Sequence, residues 1–227
     1  MPIVKVRGLM RLYPQGKLTV KALAGVDLDV EEGEFTALMG PSGSGKTTLL
    51  NIIGGLDEPS KGTVSVDSKE LQRMNPAERS DLRLHRLGFV FQSYNLVPVL
   101  SAFENAEFVL MLRGVPAAER RARVMETLAQ VGLKGLEHRR PSELSGGQQQ
   151  RVAVARAIAG RPALVLADEP TANLDSKTGQ ELVQLMADLN RDQGITFVFA
   201  THDPKVMEAA RRVVRLEDGL VVEDLRK

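Results

Sequence analysis

The sequence contains no cysteine. Disulfides and thiolate metal sites are thereby excluded, and cysteine usage says nothing about redox compartment. An excess of either charge is also missing: 30 Lys and Arg face 29 Asp and Glu, for a formal net charge of +1. Composition therefore gives no electrostatic reason to expect nucleic acid or a strongly anionic membrane surface as partner. No run approaches the ~18 apolar residues that crossing a bilayer requires. The start, Met1-Pro2-Ile3-Val4-Lys5-Val6-Arg7, is broken by charge too early for a signal-peptide apolar region. A membrane role would have to be exercised through a partner. Internal repeats, low-complexity tracts and an Asn-Lys-x-Asp base-reading motif are absent as well, and the last argues against a GTPase. What remains is 227 residues, 43% hydrophobic and 26% charged, which suits one compact domain or one core carrying insertions.

Against that plain background stands Gly40-Pro41-Ser42-Gly43-Ser44-Gly45-Lys46-Thr47-Thr48, a complete phosphate-cradling P-loop. Its three glycines let the backbone bend so that successive N–H groups point at anionic oxygens. Lys46 sets a positive charge near the outer phosphates, and the Thr47 hydroxyl is a Mg²⁺ ligand of the right kind. The context agrees: Phe35-Thr36-Ala37-Leu38-Met39 reads as a buried strand and Thr47 to Leu56 as a helix whose dipole favours anions.

Periodicity organises the rest. Val26-Asp27-Leu28-Asp29-Val30 alternates as a half-buried strand does, and Glu31-Glu32-Gly33 ends it. Asn75-Pro76-Ala77-Glu78 combines an N-cap, a first-turn proline and an acid at N3, so a helix starts there. Gly88-Phe89-Val90-Phe91 reads as a strand ending at Gln92. From about 93 to 159 the pattern turns helical, with a capping box at Ser101 and Glu104. A second helix opens at Pro116, carries Val124, Met125, Leu128 and Val131 on one face, and stops at Gly132. Ala163-Leu164-Val165-Leu166-Ala167 and Ile195-Thr196-Phe197-Val198-Phe199-Ala200 are buried strands separated by a helix, and Asp218-Gly219 marks a hairpin. The expected fold class is α/β: a P-loop core on a parallel sheet, an N-terminal antiparallel β-subdomain and an inserted α-helical subdomain. Residues 1–227 would form a single domain, with about 1–92 and 160–227 as catalytic core plus β-subdomain and about 93–159 as helical subdomain.

Asp168-Glu169 ends an apolar strand, where ligands of doubly wound sheets bind. Asp168 is placed to hold a Mg²⁺ shell, directly or through water. Glu169 is free to orient an attacking water, a general-base role worth roughly 10²–10⁴-fold. Leu144-Ser145-Gly146-Gly147-Gln148 precedes a further helix. Ser145 and Gln148 alone would make a capping box. Two glycines inside a helix cost about 1 kcal/mol each relative to alanine, so close approach of a ligand explains them better. The chain would then carry two phosphate-recognising helix starts but one P-loop, a count that a second copy reconciles by presenting its 145–148 segment to the first copy's nucleotide.

The order P-loop, Gln92, Leu144-Ser145-Gly146-Gly147-Gln148, Asp168-Glu169, Leu174-Asp175, Thr201-His202-Asp203 resembles, over essentially the whole chain, the ATP-binding subunits of ABC transporters. Within them, Ile52-Ile53-Gly54-Gly55-Leu56-Asp57-Glu58-Pro59 and Ala167-Asp168-Glu169-Pro170-Thr171-Ala172-Asn173-Leu174-Asp175-Ser176 look like the lipoprotein-release and macrolide-export (LolD/MacB) type. The resemblance implies an ATPase using ATP and Mg²⁺. Tyr13 would stack on adenine, although it could equally be a strand aromatic. Gly40, Pro41, Ser42, Gly43, Ser44, Gly45, Lys46, Thr47 and Thr48 would hold the phosphates. Thr47, Gln92 and Asp168 would serve the metal, with Gln92 relaying nucleotide state to the helical insertion. Glu169, His202, Lys46 and Gln92 would form the catalytic set, His202 reaching the γ-phosphate. Ser145, Gly147 and Gln148 would complete the partner's site, and Asp175 would lie at the dimer interface. Tyr94 and Asn95 fall where such subunits meet a membrane partner. His85 and His138 match no motif.

The resemblance further implies a homodimer across two ATP sites, bound to an integral-membrane permease on the inner, cytoplasmic face of the cell membrane, with no nucleic acid. Two alternatives share the same motifs. One is an ATPase that transmits force to a membrane complex, as in cell-division relatives, without moving a solute. The other is a nucleic-acid- or ribosome-linked ATPase, whose usual tandem units, coiled coils or zinc cysteines this chain lacks.

Overall fold

A computed structural model describes residues 2–16 and 18–227. Alternation of apolar residues builds its first element pair. In β1 (Pro2–Gln15) Val4, Val6 and Leu9 point inward, as do Leu23, Val26, Leu28 and Val30 of β2 (Leu18–Glu31). The strands run antiparallel with Val4 opposite Val30 and Val6 opposite Leu28, so the buried sets meet. The chain then turns into β3 (Phe35–Met39), passes through the glycine-rich loop and enters α1 (Lys46–Ile53). Strands β4 (Lys61–Val66) and β5 (Lys69–Glu70) complete a four-stranded antiparallel sheet in the order β2-β1-β4-β5.

Helix α2 (Pro76–Arg86) begins at the expected capping box: Asn75 Oδ1 accepts from Glu78 N at 3.0 Å and Glu78 Oε2 from Asn75 N at 2.7 Å. It leads into β6 (Leu87–Val90), after which α3 (Ala102–Leu112), α4 (Ala117–Gln130) and α5 (Gly146–Ile158) follow without a strand between them. The chain returns through β7 (Leu164–Asp168), α6 (Ser176–Gln193), β8 (Thr196–Thr201) and α7 (Pro204–Ala209). It closes with a hairpin of β9 (Arg212–Glu217) and β10 (Leu220–Arg226). Asp218 and Gly219 at the hairpin tip have φ of 48° and 74°, as a tight two-residue turn demands. The second sheet has the order β10-β9-β3-β8-β7-β6 and is parallel except for β10 at its edge. The fold is thus α/β, with an antiparallel β-subdomain and a helical segment set between β6 and β7.

The parallel sheet separates two apolar layers. Phe35, Ala37, Val165, Ala167, Phe197 and Phe199 face the layer filled by α3, α4, α5 and α6. Leu38, Leu164, Leu166, Val198 and Ala200 face α1 and the antiparallel strands. Period-two alternation along each strand sorts the residues. Phe35 and Phe199, centroids 4.6 Å apart, anchor the first layer; burying such a ring contributes about 1.5–3 kcal/mol.

Two local expectations are corrected. Helix α1 stops at Ile53 rather than Leu56, because Gly55 turns the chain at φ 63° and Leu56 N closes back on Asn51 O at 2.8 Å. Met125 does not join the inward face of α4: Val124, Leu128 and Val131 are buried, whereas Met125 is 37% exposed. One residue beyond Val124 is 100° further round the helix, past the margin of a stripe this narrow.

Candidate nucleotide-binding cleft

The carboxyl ends of β3, β7 and β8 open on a cleft of about 690 Å³ whose floor is the loop 40–45. Two glycines in that loop have no substitute. A Cβ on Gly40 would lie 2.1 Å from Leu216 O, and one on Gly45 would lie 2.5 Å from Ala22 O, at φ of 155° and 102°. Only bare backbone fits between the hairpin and β2. Lys46, 8% exposed, lies within the loop, its Nζ donating to Gly40 O at 2.7 Å and Pro41 O at 2.9 Å. Beneath the loop, Ser44 Oγ is buried with no hydrogen-bond partner. Gly40, Pro41, Ser42, Gly43, Gly45, Lys46, Thr47 and Thr48 all line the cleft. Bent backbone, a lysine and a helix start together form a cradle for anionic oxygens.

Thr47 Oγ1 donates to Asp168 Oδ1 at 3.0 Å, joining the start of α1 to the end of β7. Burial pushes the Asp168 carboxyl above its ordinary range; the Thr47 hydrogen bond pulls it back, and neighbouring Glu169 adds to the rise. Among the described residues no group of three or more His, Cys, Asp or Glu could hold a metal ion by itself. A hydroxyl and a carboxylate held this close do suit Mg²⁺, which takes hard oxygen ligands and usually fills its octahedron with water and substrate phosphates.

Glu169 is a non-glycine residue held at φ 43°, a left-handed conformation that directs its carboxylate into the cleft. Its Oε1 lies 2.7 Å from His202 Nδ1, and its Oε2 accepts from Thr201 Oγ1 at 3.3 Å and from His202 N at 3.4 Å. The carboxylate is only 17% exposed whereas the imidazole is 74% exposed, so the ring offers its far side to a ligand. Gln92 reaches the same cleft from just beyond β6, and Asn173 Nδ2 holds its carbonyl at 2.9 Å.

The remaining sequence candidates lie elsewhere. Tyr13 does not line the cleft: its hydroxyl donates to Asp57 Oδ2 at 2.5 Å, and the Arg11 guanidinium covers its ring at 4.5 Å from the centroid. Val20, directly opposite on β2, lines the wall in its place. Ser145, Gly147 and Gln148 are also outside. Ser145 Oγ accepts from Gln148 N at 3.3 Å and Gln148 Oε1 from Ser145 N at 2.9 Å, closing the capping box. The adjacent glycines have neighbours within the chain: a Cβ on Gly146 would sit 2.9 Å from the Tyr94 hydroxyl, and one on Gly147 2.4 Å from Thr178 Cγ2. Close packing is thus a second reason for glycine there, beside the approach of a ligand drawn from sequence. Asp175 caps α6, its Oδ1 accepting from Lys177 N and Thr178 N at 3.1 and 3.0 Å. Tyr94 and Asn95 form a left-handed turn whose carbonyls Arg156 binds. Lys21 and Ala22 line the cleft with no signal in the sequence, because spacing along β2 says nothing of which loop its open face meets; Ala172, beyond β7, lines it too.

The family profile described as "ABC transporter" matches residues 23–172. An uncharacterized ABC transporter ATP-binding protein of Thermotoga maritima is 47% identical over 219 residues, 96% of this chain and 93% of the relative. The macrolide export ATP-binding/permease protein MacB of Marinobacter nauticus is 47% identical over 98% of this chain, which spans 34% of that longer protein. Among solved structures, the ATP-binding cassette MJ0796 of Methanocaldococcus jannaschii, in a dimeric post-hydrolysis state with ADP and Pi, superposes with a TM-score of 0.91. It is 43% identical, and the match covers 98% of each chain.

Proposed function

The chain belongs to the ABC transporter family and is an ATPase of that family; from this we propose that two copies close head to tail over two MgATP, hydrolyse them and separate, driving an integral-membrane permease. The observation that carries this reading is the division of the anion-binding parts. The P-loop lines the cleft, while Ser145, Gly147 and Gln148, capped and exposed or half-exposed, lie outside it on the same protomer. A second copy brings them to the first copy's nucleotide, and the dimeric state of the MJ0796 cassette supports that arrangement.

In this reading the backbone N–H groups of the 40–45 loop, Pro41 excepted, with Lys46 and Thr48, hold the phosphates. Lys46 exchanges its loop carbonyls for phosphate oxygens. Thr47, Asp168 and Gln92 are the chain's share of the Mg²⁺ shell, and the ion would neutralise charge on the transferred phosphoryl group. Glu169 orients a water and takes its proton as oxygen bonds to the γ-phosphorus and the bond to the β–γ bridging oxygen breaks, leaving ADP and phosphate. His202 fixes the γ-phosphate from the opposite side. Arg11 holds one face of the Tyr13 ring, and the adenine would take the other. Asp175 lies along the interface between the copies.

Residues from about 93 to 159 form the helical subdomain, and about 1–92 and 160–227 form the catalytic core with the β-subdomain. A largely apolar groove between them, lined by Leu56, Phe89, Phe91, Val109 and Leu112, lies next to Asn95 and supports docking of the permease there. The permease places the ATPase on the cytoplasmic face of the membrane, and the MacB relatives, fused to their own permease, favour an export system of that kind. No helix among the described residues is long and apolar enough to cross a membrane itself. The test is Glu169→Gln. Turnover should fall roughly 10²–10⁴-fold, and sedimentation at saturating MgATP should show a stable dimer; a protomer that stays monomeric there would overturn the reading.

A further inference from the structure

Glu169 and His202 sit on separate loops, and a ring of hydrogen bonds joins those loops behind the cleft. Thr171 Oγ1 donates to Asp203 Oδ2 at 2.6 Å, 32 residues away in the chain. Asp203 N donates to Thr201 Oγ1 at 2.9 Å, and that hydroxyl donates onward to Glu169 Oε2 at 3.3 Å. Two peptide bonds from Glu169 to Thr171 close the circuit. Thr171 and Thr201 are buried, so both hydroxyls depend on these partners.

The arrangement exceeds what capping a helix requires. Asp203 Oδ1 alone caps α7 through Lys205 N at 2.9 Å, which leaves Oδ2 free to be used on Thr171. The ring also bears on a cleft residue whose backbone is strained. Glu169 is held at φ 43°, and its amide is tied to Ala200 O at 2.8 Å. A non-glycine residue stays in that region only where its surroundings over-determine it, and its Oε2 is the atom the ring reaches.

We infer that Thr171 and Asp203 are positioning residues for the hydrolytic step, acting through Thr201 to fix the Glu169 carboxylate against His202. The inference rests on the reading of Glu169 as the group that orients the attacking water. Neither residue touches nucleotide in this scheme, so binding is left alone and only the chemical step depends on them.

The experiment is steady-state ATP hydrolysis by Thr171→Val and Thr171→Ser, each also combined with Glu169→Gln, with thermal melting of every variant. Thr171→Val should lower kcat about ten- to a hundredfold, the scale expected when a reacting group is misplaced by an ångström. KM for ATP should stay within about twofold. Thr171→Ser, which keeps the hydroxyl, should recover most of the loss. In the Glu169→Gln background Thr171→Val should add nothing, because the group it positions has gone. A kcat equal to that of the unmodified protein, or a loss of the same factor with and without Glu169, would overturn the inference. If Thr171→Val does not fold, Thr171→Ala reads the same bond without the extra methyl group and decides by the same criteria. Full turnover by Glu169→Gln alone would instead remove the reading of Glu169 on which the inference stands.

Discussion

Thr47 Oγ1 and Asp168 Oδ1, 121 residues apart in sequence, lie 3.0 Å apart at the meeting point of the P-loop helix and the central sheet. The contact is the only hydrogen bond found for the Asp168 side chain among the described residues, and burial raises its carboxyl. A divalent cation placed between the two groups would oppose that rise, because it favours the charged carboxylate.

Asp168→Asn should therefore separate metal-dependent from metal-independent binding. The amide can still accept from Thr47 but brings no charge to an ion. Nucleotide affinity measured by calorimetry with Mg²⁺ should fall about ten- to a hundredfold, the range seen when support of a metal ligand set is lost. Affinity measured with a chelator present should change little. Equal losses in both conditions would count against the metal role.

Gly147→Ala distinguishes packing from ligand approach at the start of α5. The new Cβ would sit 2.4 Å from Thr178 Cγ2, so the variant alone should lose about 1–3 kcal/mol of stability in denaturant unfolding. Adding Thr178→Ser removes that methyl group and should restore stability. If the double variant also regains MgATP-dependent dimers, intrachain packing is all that the glycine serves; continued failure to dimerise locates a second demand in the partner's site.

Arg212 joins the two sheets at the far side. It donates to Asp224 Oδ1 and Oδ2 at 2.8 and 2.7 Å, to Glu34 Oε2 at 2.9 Å and to Asp29 O at 2.6 Å. Hydrogen bonding to Arg212 holds the Asp224 carboxyl below its usual range, with burial opposing. The unfolded chain thus binds the proton more readily, so stability from this pair is present above the unfolded value near 3.9 and is lost as pH falls through the lower folded value. Asp224→Asn should cost about 1 kcal/mol at pH 7, kept small because the carboxylate is 40% exposed and screened. In urea unfolding the gap between the two proteins should close below about pH 4; a gap that widened with acid would contradict the assignment.

The parts of this molecule written in local chemistry were legible before any coordinates. Capping boxes at Asn75, Ser101 and Ser145 stand where their side chains place them, and the start of α1 with Thr47 meets the strand ends at Asp168 and His202 as a parallel sheet requires. What escaped depends on contacts between distant segments. That Asp57 and Arg11 hold Tyr13 has no signal in the strand pattern. That Tyr94 and Thr178 press on Gly146 and Gly147 has no signal in the sequence either. The left-handed turn at Glu169 and the bond from Thr171 to Asp203 have no periodicity to betray them, because each depends on a loop more than thirty residues away.

The parallel sheet also has a mechanical consequence. Its alternating side chains keep the helices α3 to α5 and the helix α1 on opposite faces, so the two apolar layers share a wall and little else. A load passed from the helical layer to the layer beneath the phosphate loop would therefore cross the strands of the parallel sheet.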